Sequence, residues 1–81
     1  MLTVLFFAQT RELVGVDKLE IEGDFATAEQ LRQYLAGKGD KWALALQSDK
    51  LLVAINQTLM PLESAVQNGD EIAFFPPVTG G

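Results

Sequence analysis

The chain has 81 residues, of which 48% are hydrophobic and 21% charged, and its net charge is −5. This length allows one domain with a small core, and the acidic balance argues against nucleic acid, whose phosphates are bound by clustered Lys and Arg. Cysteine and histidine are absent, which excludes disulfides, thiolate nucleophiles, the commonest metal ligand and the commonest general base.

The first third of the chain predicts a strand, a short helix and a second strand. Residues 2–7 are aliphatic, aromatic and β-branched, as in a strand. Residues 8–14 favour a short helix that Gly15 ends as its C-cap. Residues 17–22 alternate, with Leu19 and Ile21 on one face, and this pattern predicts a half-buried strand antiparallel to the first.

Two helices follow. Thr27 and Gln30 form a capping-box pattern, with Thr27 as the N-cap and Gln30 reaching back. The helix after them places Ala28, Leu31 and Leu35 on one stripe, with Tyr34 as a further candidate. Gly37 and Gly39 end it, and Asp40 is predicted to cap a second helix over residues 41–46.

The last third predicts three strands and a tail. Residues 47–49 indicate a polar turn, residues 51–55 an apolar strand, Asn56-Gln57 a turn and residues 58–60 a short strand. Residues 61–67 are irregular, residues 68–70 a turn, and residues 71–75 the final strand. The order favours an α+β fold of the ubiquitin-like β-grasp kind, a mixed four- to five-stranded sheet wrapped around one main helix. We expect this domain to span residues 1–75 and an extended tail to span 76–81.

The chain offers little for catalysis by itself. Ser48, Ser64 and Tyr34 have no histidine as a base, and Glu20 and Glu22 are interpreted as a solvated strand face. Glycine-rich phosphate loops are absent from the sequence, so we expect neither a bound cofactor nor a metal. No signal peptide or apolar run of membrane-spanning length is evident, and we expect a cytoplasmic protein without membrane contact.

The chain closes on Pro76-Pro77-Val78-Thr79-Gly80-Gly81. Proline fixes φ and favours extended backbone before it, so the pair is expected to project the tail from the domain. Gly80 and Gly81 have no side chain that would clash in a narrow channel. We interpret the Gly81 carboxylate as a group to be inserted into another protein's active site; the alternative is a frayed end without a role.

Apolar side chains exceed what one helix can cover. We assign Val4, Phe6, Ile72 and Phe74 to the core. Phe7 and Phe75 then lie exposed on the other face with Leu59 nearby, as a partner-docking surface. The alternative is that the second helix, with Trp42, folds over that face. Arg11 is a weaker docking candidate, because an exposed pair with Glu12 explains it as well.

Leu5-Phe6-Phe7-Ala8-Gln9, Arg11-Glu12-Leu13-Val14-Gly15 and the Gly-Gly tail together resemble the small subunits of bacterial molybdopterin synthases. The resemblance implies a β-grasp sulfur carrier that has no active site of its own. An ATP-dependent, E1-like enzyme would adenylate Gly81, and a sulfur-relay protein would supply the sulfur of a thiocarboxylate. The large synthase subunit, in a heterotetramer, would pass that sulfur to cyclic pyranopterin monophosphate to build the dithiolene.

On that resemblance, Gly81 carries the sulfur, Gly80 keeps the tail slim, and Phe7, Leu59, Phe75 and Arg11 dock. Three alternatives stay open. One is a thiamine-type sulfur carrier, another is a ubiquitin-like modifier that forms isopeptide bonds, and the third is an interaction domain with a fortuitous tail. The same tail serves the first two, so the sequence does not separate them.

Overall fold

The computed structural model describes residues 1–47 and 51–76. These residues form five strands and three helices. In chain order they are β1 (Leu2–Phe6), α1 (Ala8–Val14), β2 (Lys18–Ile21), α2 (Ala28–Ala36), α3 (Asp40–Ala45), β3 (Leu52–Ile55), β4 (Thr58–Met60) and β5 (Glu71–Phe75). The predicted polar turn at 47–49 falls mostly on Ser48 and Asp49, which lie outside the described residues.

The strands form one mixed sheet in the order β2-β1-β5-β3-β4. The central pair β1 and β5 is parallel, and every other pair is antiparallel. β1 and β5 lie at opposite ends of the sequence, so a parallel pairing requires the chain to cross over between them. The helices and β3 to β4 make that crossover, and the predicted α+β sheet around a main helix is confirmed.

The α2 helix covers one face of the sheet and forms the core with it. Its Ala28, Leu31 and Leu35 side chains are fully buried, because their spacing puts them on one stripe of the helix. The core residues on the strands alternate with residues of the other face, as predicted; they include Val4, Phe6, Val53, Ile72 and Phe74.

The start of α2 carries the predicted cap with one difference. The Thr27 hydroxyl accepts a hydrogen bond from the Gln30 N–H at 3.2 Å. The Gln30 Oε1 atom accepts from the Ala26 N–H at 2.8 Å, one residue before the expected partner. Both bonds satisfy backbone donors that precede the first helical hydrogen bonds.

Three predicted helix details are wrong. Tyr34 is 54% exposed and contacts Phe25, with ring centroids 5.4 Å apart, so it does not belong to the buried stripe. Asp40 is the first residue of α3 rather than its cap, because Gly39 holds the N-cap position without a side-chain hydrogen bond. The predicted helix included Leu46, but Leu46 lies just beyond α3 as its C-cap.

A polar network fixes the end of the sheet where β3 turns into β4. Asn56 and Gln57 have φ of 51° and 70°, the left-handed pair typical of a two-residue hairpin. The Asn56 Oδ1 atom accepts from the Glu71 N–H at 3.0 Å, and its Nδ2 donates to Asp70 Oδ1 at 3.0 Å. The predicted turns at 56–57 and 68–70 are therefore confirmed and joined to each other.

Candidate docking site on the uncovered sheet face

The second face of the sheet is apolar across four strands. In the strand register, Leu5 lies beside Ala73, Ala73 beside Ala54, and Ala54 beside Leu59. Directly opposed residues share a face, with Cβ atoms about 5 Å apart. Leu59, at the β4 edge, is 62% exposed. α2, on the opposite face, does not cover this row, in which Leu5 and Ala54 are partly exposed and Ala73 is buried.

A second row lies at the end of β1 and β5. The pairing of Phe6 with Phe74 carries Phe7 next to Phe75, and Leu52 pairs with Phe75 on the other side. Phe7 is 46% exposed, as expected. Phe75 is only half-buried and not fully exposed as predicted, because neighbouring strands flank it on both sides.

The backbone turns sharply between β1 and α1. Phe7 is extended, with φ −128°, and Ala8 is left-handed, with φ 54°. A left-handed alanine costs about 1 kcal/mol relative to an ordinary conformation. This turn ends β1 at Phe6, one residue before the predicted end, and directs α1 along the rim of the uncovered face.

An open groove of about 1340 Å³ lies where this face meets α1 and α3. Its lining includes Phe7, Phe75 and Pro76, together with Leu13 of α1 and Leu44 of α3. Leu44 was not predicted as a site residue. The signal for it is indirect: Trp42, Ala45 and Leu46 of the same segment all pack inward, which leaves Leu44 outward, 56% exposed.

The alternative in which Trp42 covers the apolar face is wrong. The Trp42 ring packs edge-on against Phe6, with centroids 5.7 Å apart and planes at 80°. Phe6 belongs to the core face of β1, opposite Leu5 and Phe7. Lys38 lies over the other part of the indole, with Nζ 5.6 Å from its centroid. α3 therefore forms a wall of the groove and leaves it open.

Arg11 lies on α1 with its side chain exposed and is not among the residues that line the groove. Its backbone carbonyl accepts the Gly15 N–H at 2.9 Å, which closes the helix. Gly15 is left-handed with φ 81°, as its predicted role requires. A role for Arg11 in docking stays a prediction.

A charge-assisted cluster ties α2 to the end of α3. The Arg32 Nε and Nη2 atoms donate to the two Glu29 carboxylate oxygens at 2.7 and 2.6 Å, and Nη1 donates to the Leu46 carbonyl at 2.6 Å. The hydrogen bond from Arg32 lowers the pKa of Glu29, and Glu29 raises that of Arg32. This clamp fixes the helix that carries Leu44.

The structure follows the tail to Pro76, at the edge of the groove. The rest of the predicted tail, residues 77–81 with Gly80 and Gly81, lies outside the described residues. Over residues 1–47 and 51–76, no cluster of three acidic side chains is placed to hold a metal ion. In the same residues, no helix is long and apolar enough to cross a membrane.

Two full-length relatives are named molybdopterin synthase sulfur carrier subunit. The one from Haemophilus influenzae is 80% identical over 81 residues, and the one from Escherichia coli is 59% identical over 81 residues. Each alignment covers 100% of both chains. The model of the ThiS family matches residues 4–81.

Solved structures share the fold. One is small archaeal modifier protein 1 from Haloferax volcanii, 28% identical with a TM-score of 0.74 over 95% of this chain and 97% of that one. Another is the complex of subunits 1 and 2 of the molybdopterin-converting factor from Helicobacter pylori 26695. The matched chain there is 27% identical, with a TM-score of 0.66 over 99% of this chain and 97% of that one. These similarities confirm the ubiquitin-like β-grasp fold.

Proposed function

This chain belongs to the ThiS family, and on that premise we propose that it is the sulfur-carrier subunit of a molybdopterin synthase. The observation that carries the proposal is the end-to-end identity of 80% and 59% to relatives of that name. The described residues support the proposal because they form an apolar face, suited to docking, at the base of the tail.

The reactive group in this proposal is the Gly81 carboxylate. A carboxylate does not react with sulfur nucleophiles, so an ATP-dependent activating enzyme first converts it to an acyl-adenylate and releases pyrophosphate. A persulfide sulfur of a relay protein then attacks the acyl carbon and AMP leaves. A thiol reductant cleaves the S–S bond of the resulting acyl disulfide and frees the thiocarboxylate. The ATP is bound by the activating enzyme. Because the reaction depends on ATP, the proposal includes a cytoplasmic location for the chain.

The large synthase subunit is the proposed acceptor of the tail. Phe7, Leu59 and Phe75 would be buried against it, and burial of exposed apolar surface drives such association. Within the large subunit, sulfur passes from Gly81 to cyclic pyranopterin monophosphate, and hydrolysis by water of the acyl–sulfur bond returns a carboxylate on Gly81. Two such transfers supply the two sulfurs of the dithiolene.

Two other functions are weighed against this one. The structural similarity to a small archaeal modifier protein favours isopeptide conjugation through the same tail. The ThiS family match also fits a thiamine-type carrier. The full-length relatives favour the molybdopterin synthase over both. Stable adducts between Gly81 and lysines of other proteins would support the modifier instead.

Loading of the tail tests the proposal. The chain is incubated with the activating enzyme, ATP and a sulfur donor, and its intact mass is measured. We expect an increase equal to the replacement of one oxygen by sulfur, located on Gly81 by fragmentation. A chain extended by one alanine after Gly81 is the matched control and should stay unchanged. An unchanged wild-type mass with an active enzyme would contradict the proposal.

A further inference from the structure

Leu44 is a large apolar side chain that the fold leaves unpaired at the groove. It is 56% exposed, whereas its neighbours Ala45 and Leu46 are 9% and 0% exposed. It lines the same groove as Phe7 and Phe75. The three residues come from different parts of the fold, namely α3, the residue after β1 and the end of β5.

Arg32 of α2 adds a polar contact to the apolar packing that holds the helix carrying Leu44. The Arg32 guanidinium spans from the Glu29 carboxylate to the Leu46 carbonyl, with Nη1 2.6 Å from that oxygen. The Arg32 side chain is only 12% exposed. A carbonyl at a helix C-terminus lacks an intrahelical partner, and Arg32 supplies one. Arg32 therefore helps to set where the end of α3, and with it Leu44, lies.

The occupant of the groove follows from where the described chain ends. Pro76 lines the groove, so a partner that takes up the residues after Pro76 begins its contact there. Such a partner meets Phe75, Phe7 and Leu44 before it reaches the glycines. Under the proposed function, on which this inference rests, that partner is the large synthase subunit.

We propose that Leu44 is a binding contact for the large subunit and that Arg32 is the residue that positions it. A partner with a matching apolar site buries Leu44. Neither residue takes part in the sulfur chemistry of the tail.

The first test is the Kd between the carrier and its large subunit, measured by titration calorimetry. L44A is expected to weaken binding about tenfold, as for an apolar residue in the centre of an interface. Alanine is a good helix former, so the exposed substitution preserves folding. Y34A is the matched control: Tyr34 is similarly exposed but lies on α2, outside the groove. It should stay within about twofold of wild type.

The second test is a double-mutant cycle with R32K, which keeps the charge but loses the fork that reaches both partners. We expect R32K to weaken binding about threefold alone and to add little to L44A, because both changes act through one contact. Thermal unfolding of each variant checks the fold. E29Q removes the carboxylate that holds Arg32 but keeps Arg32 itself. The same double-mutant cycle with E29Q in place of R32K is therefore a second test of the positioning role.

The outcomes separate the claims. Binding of L44A within about twofold of wild type would overturn the role of Leu44. Additive effects of R32K and L44A would overturn the positioning role of Arg32. Failure of the wild-type chain to bind the large subunit at all would overturn the proposed function, and this inference with it.

Discussion

Gly15 and Gly37 both end a helix, but the backbone requires glycine only at Gly15. Gly15 has φ 81°, whereas Gly37 has φ −76°, which any residue adopts. A Cβ on Gly15 would contact nothing within 4 Å, so the cost of G15A is purely conformational. We expect G15A to lower the free energy of unfolding by about 1 kcal/mol.

The matched control is G37A. Its Cβ would lie 3.4 Å from the Tyr34 carbonyl oxygen, a close but tolerable contact. Urea unfolding should show a change of less than about 0.5 kcal/mol for G37A. Equal losses for the two variants would contradict the assignment of Gly15 to the left-handed cap.

The hairpin turn at Asn56-Gln57 gives a second prediction, in which two substitutions to glycine change stability in opposite directions. Both residues have positive φ, but only Asn56 uses its side chain, to Glu71 and Asp70. Q57G should therefore stabilise the fold by about 0.5–1 kcal/mol, and N56G should destabilise it by about 1 kcal/mol. Denaturant midpoints at constant m-value measure both. A gain in stability for N56G would show that its hydrogen bonds contribute nothing.

The sequence predicted residue roles where local patterns decide them. Strand alternation was enough to place Phe6 and Phe74 in the core and Phe7 outside it. It was not enough for Phe75, because its burial depends on Leu52, which pairs with it from a strand about twenty residues earlier in the chain. Leu44 was missed for the same reason: the groove wall exists only after α3 has packed.

At the scale of elements, the clamp between Glu29 and Arg32 links stability to pH. The hydrogen bond from Arg32 lowers the pKa of Glu29 below its ordinary value of 4.5. A carboxyl whose pKa is depressed in the folded state contributes stability that is present above the unfolded pKa. That stability is lost as the pH falls through the folded pKa. The wild-type chain should therefore lose stability below about pH 4.5, and E29Q should lose less across the same range.

Urea unfolding between about pH 3 and pH 6 gives the free energy of unfolding at each pH, and the slope of this free energy against pH measures the difference. E63Q is the matched control, because it removes one exposed carboxylate of equal charge without touching the clamp. Its slope should stay closer to wild type than that of E29Q. Identical slopes for E29Q and wild type would contradict a stabilising role for the pair in the folded state.

The element order and the mixed sheet were predicted correctly, while several element bounds differ from the prediction by one residue. α1 matches its prediction at both ends, because Gly15 marks one end and the change from strand to helix pattern marks the other. The prediction of a mixed sheet did not say which strands form its parallel pair, because β1 and β5 come from the two ends of the chain and no local pattern encodes their pairing. The prediction that Asp40 caps α3 was wrong because Gly39 occupies the N-cap position and Asp40 is the first helical residue.

At the scale of the whole molecule, we expect binding of the large subunit to depend on which face of the sheet a substituted side chain lies on. Leu59 and Thr58 are adjacent on the edge strand β4 but point to opposite faces. L59D should weaken binding to the large subunit at least about tenfold, because it buries a charge in an apolar interface. T58D, the matched control, places the same charge on the other face and should bind within about threefold of wild type.

Both variants should unfold within about 0.5 kcal/mol of the wild type, since both positions are exposed. Equal loss of binding for L59D and T58D would show that the edge of the sheet, rather than its uncovered face, meets the partner.

The most direct test of the sulfur-carrier function is discharge of the loaded chain. The Gly81 thiocarboxylate, labelled with a heavy sulfur isotope, is mixed with the large subunit and cyclic pyranopterin monophosphate, and both products are analysed by mass spectrometry. We expect the chain to return to its unloaded mass and the labelled sulfur to appear in the dithiolene. A chain that keeps its sulfur, or a product without the label, would contradict the account.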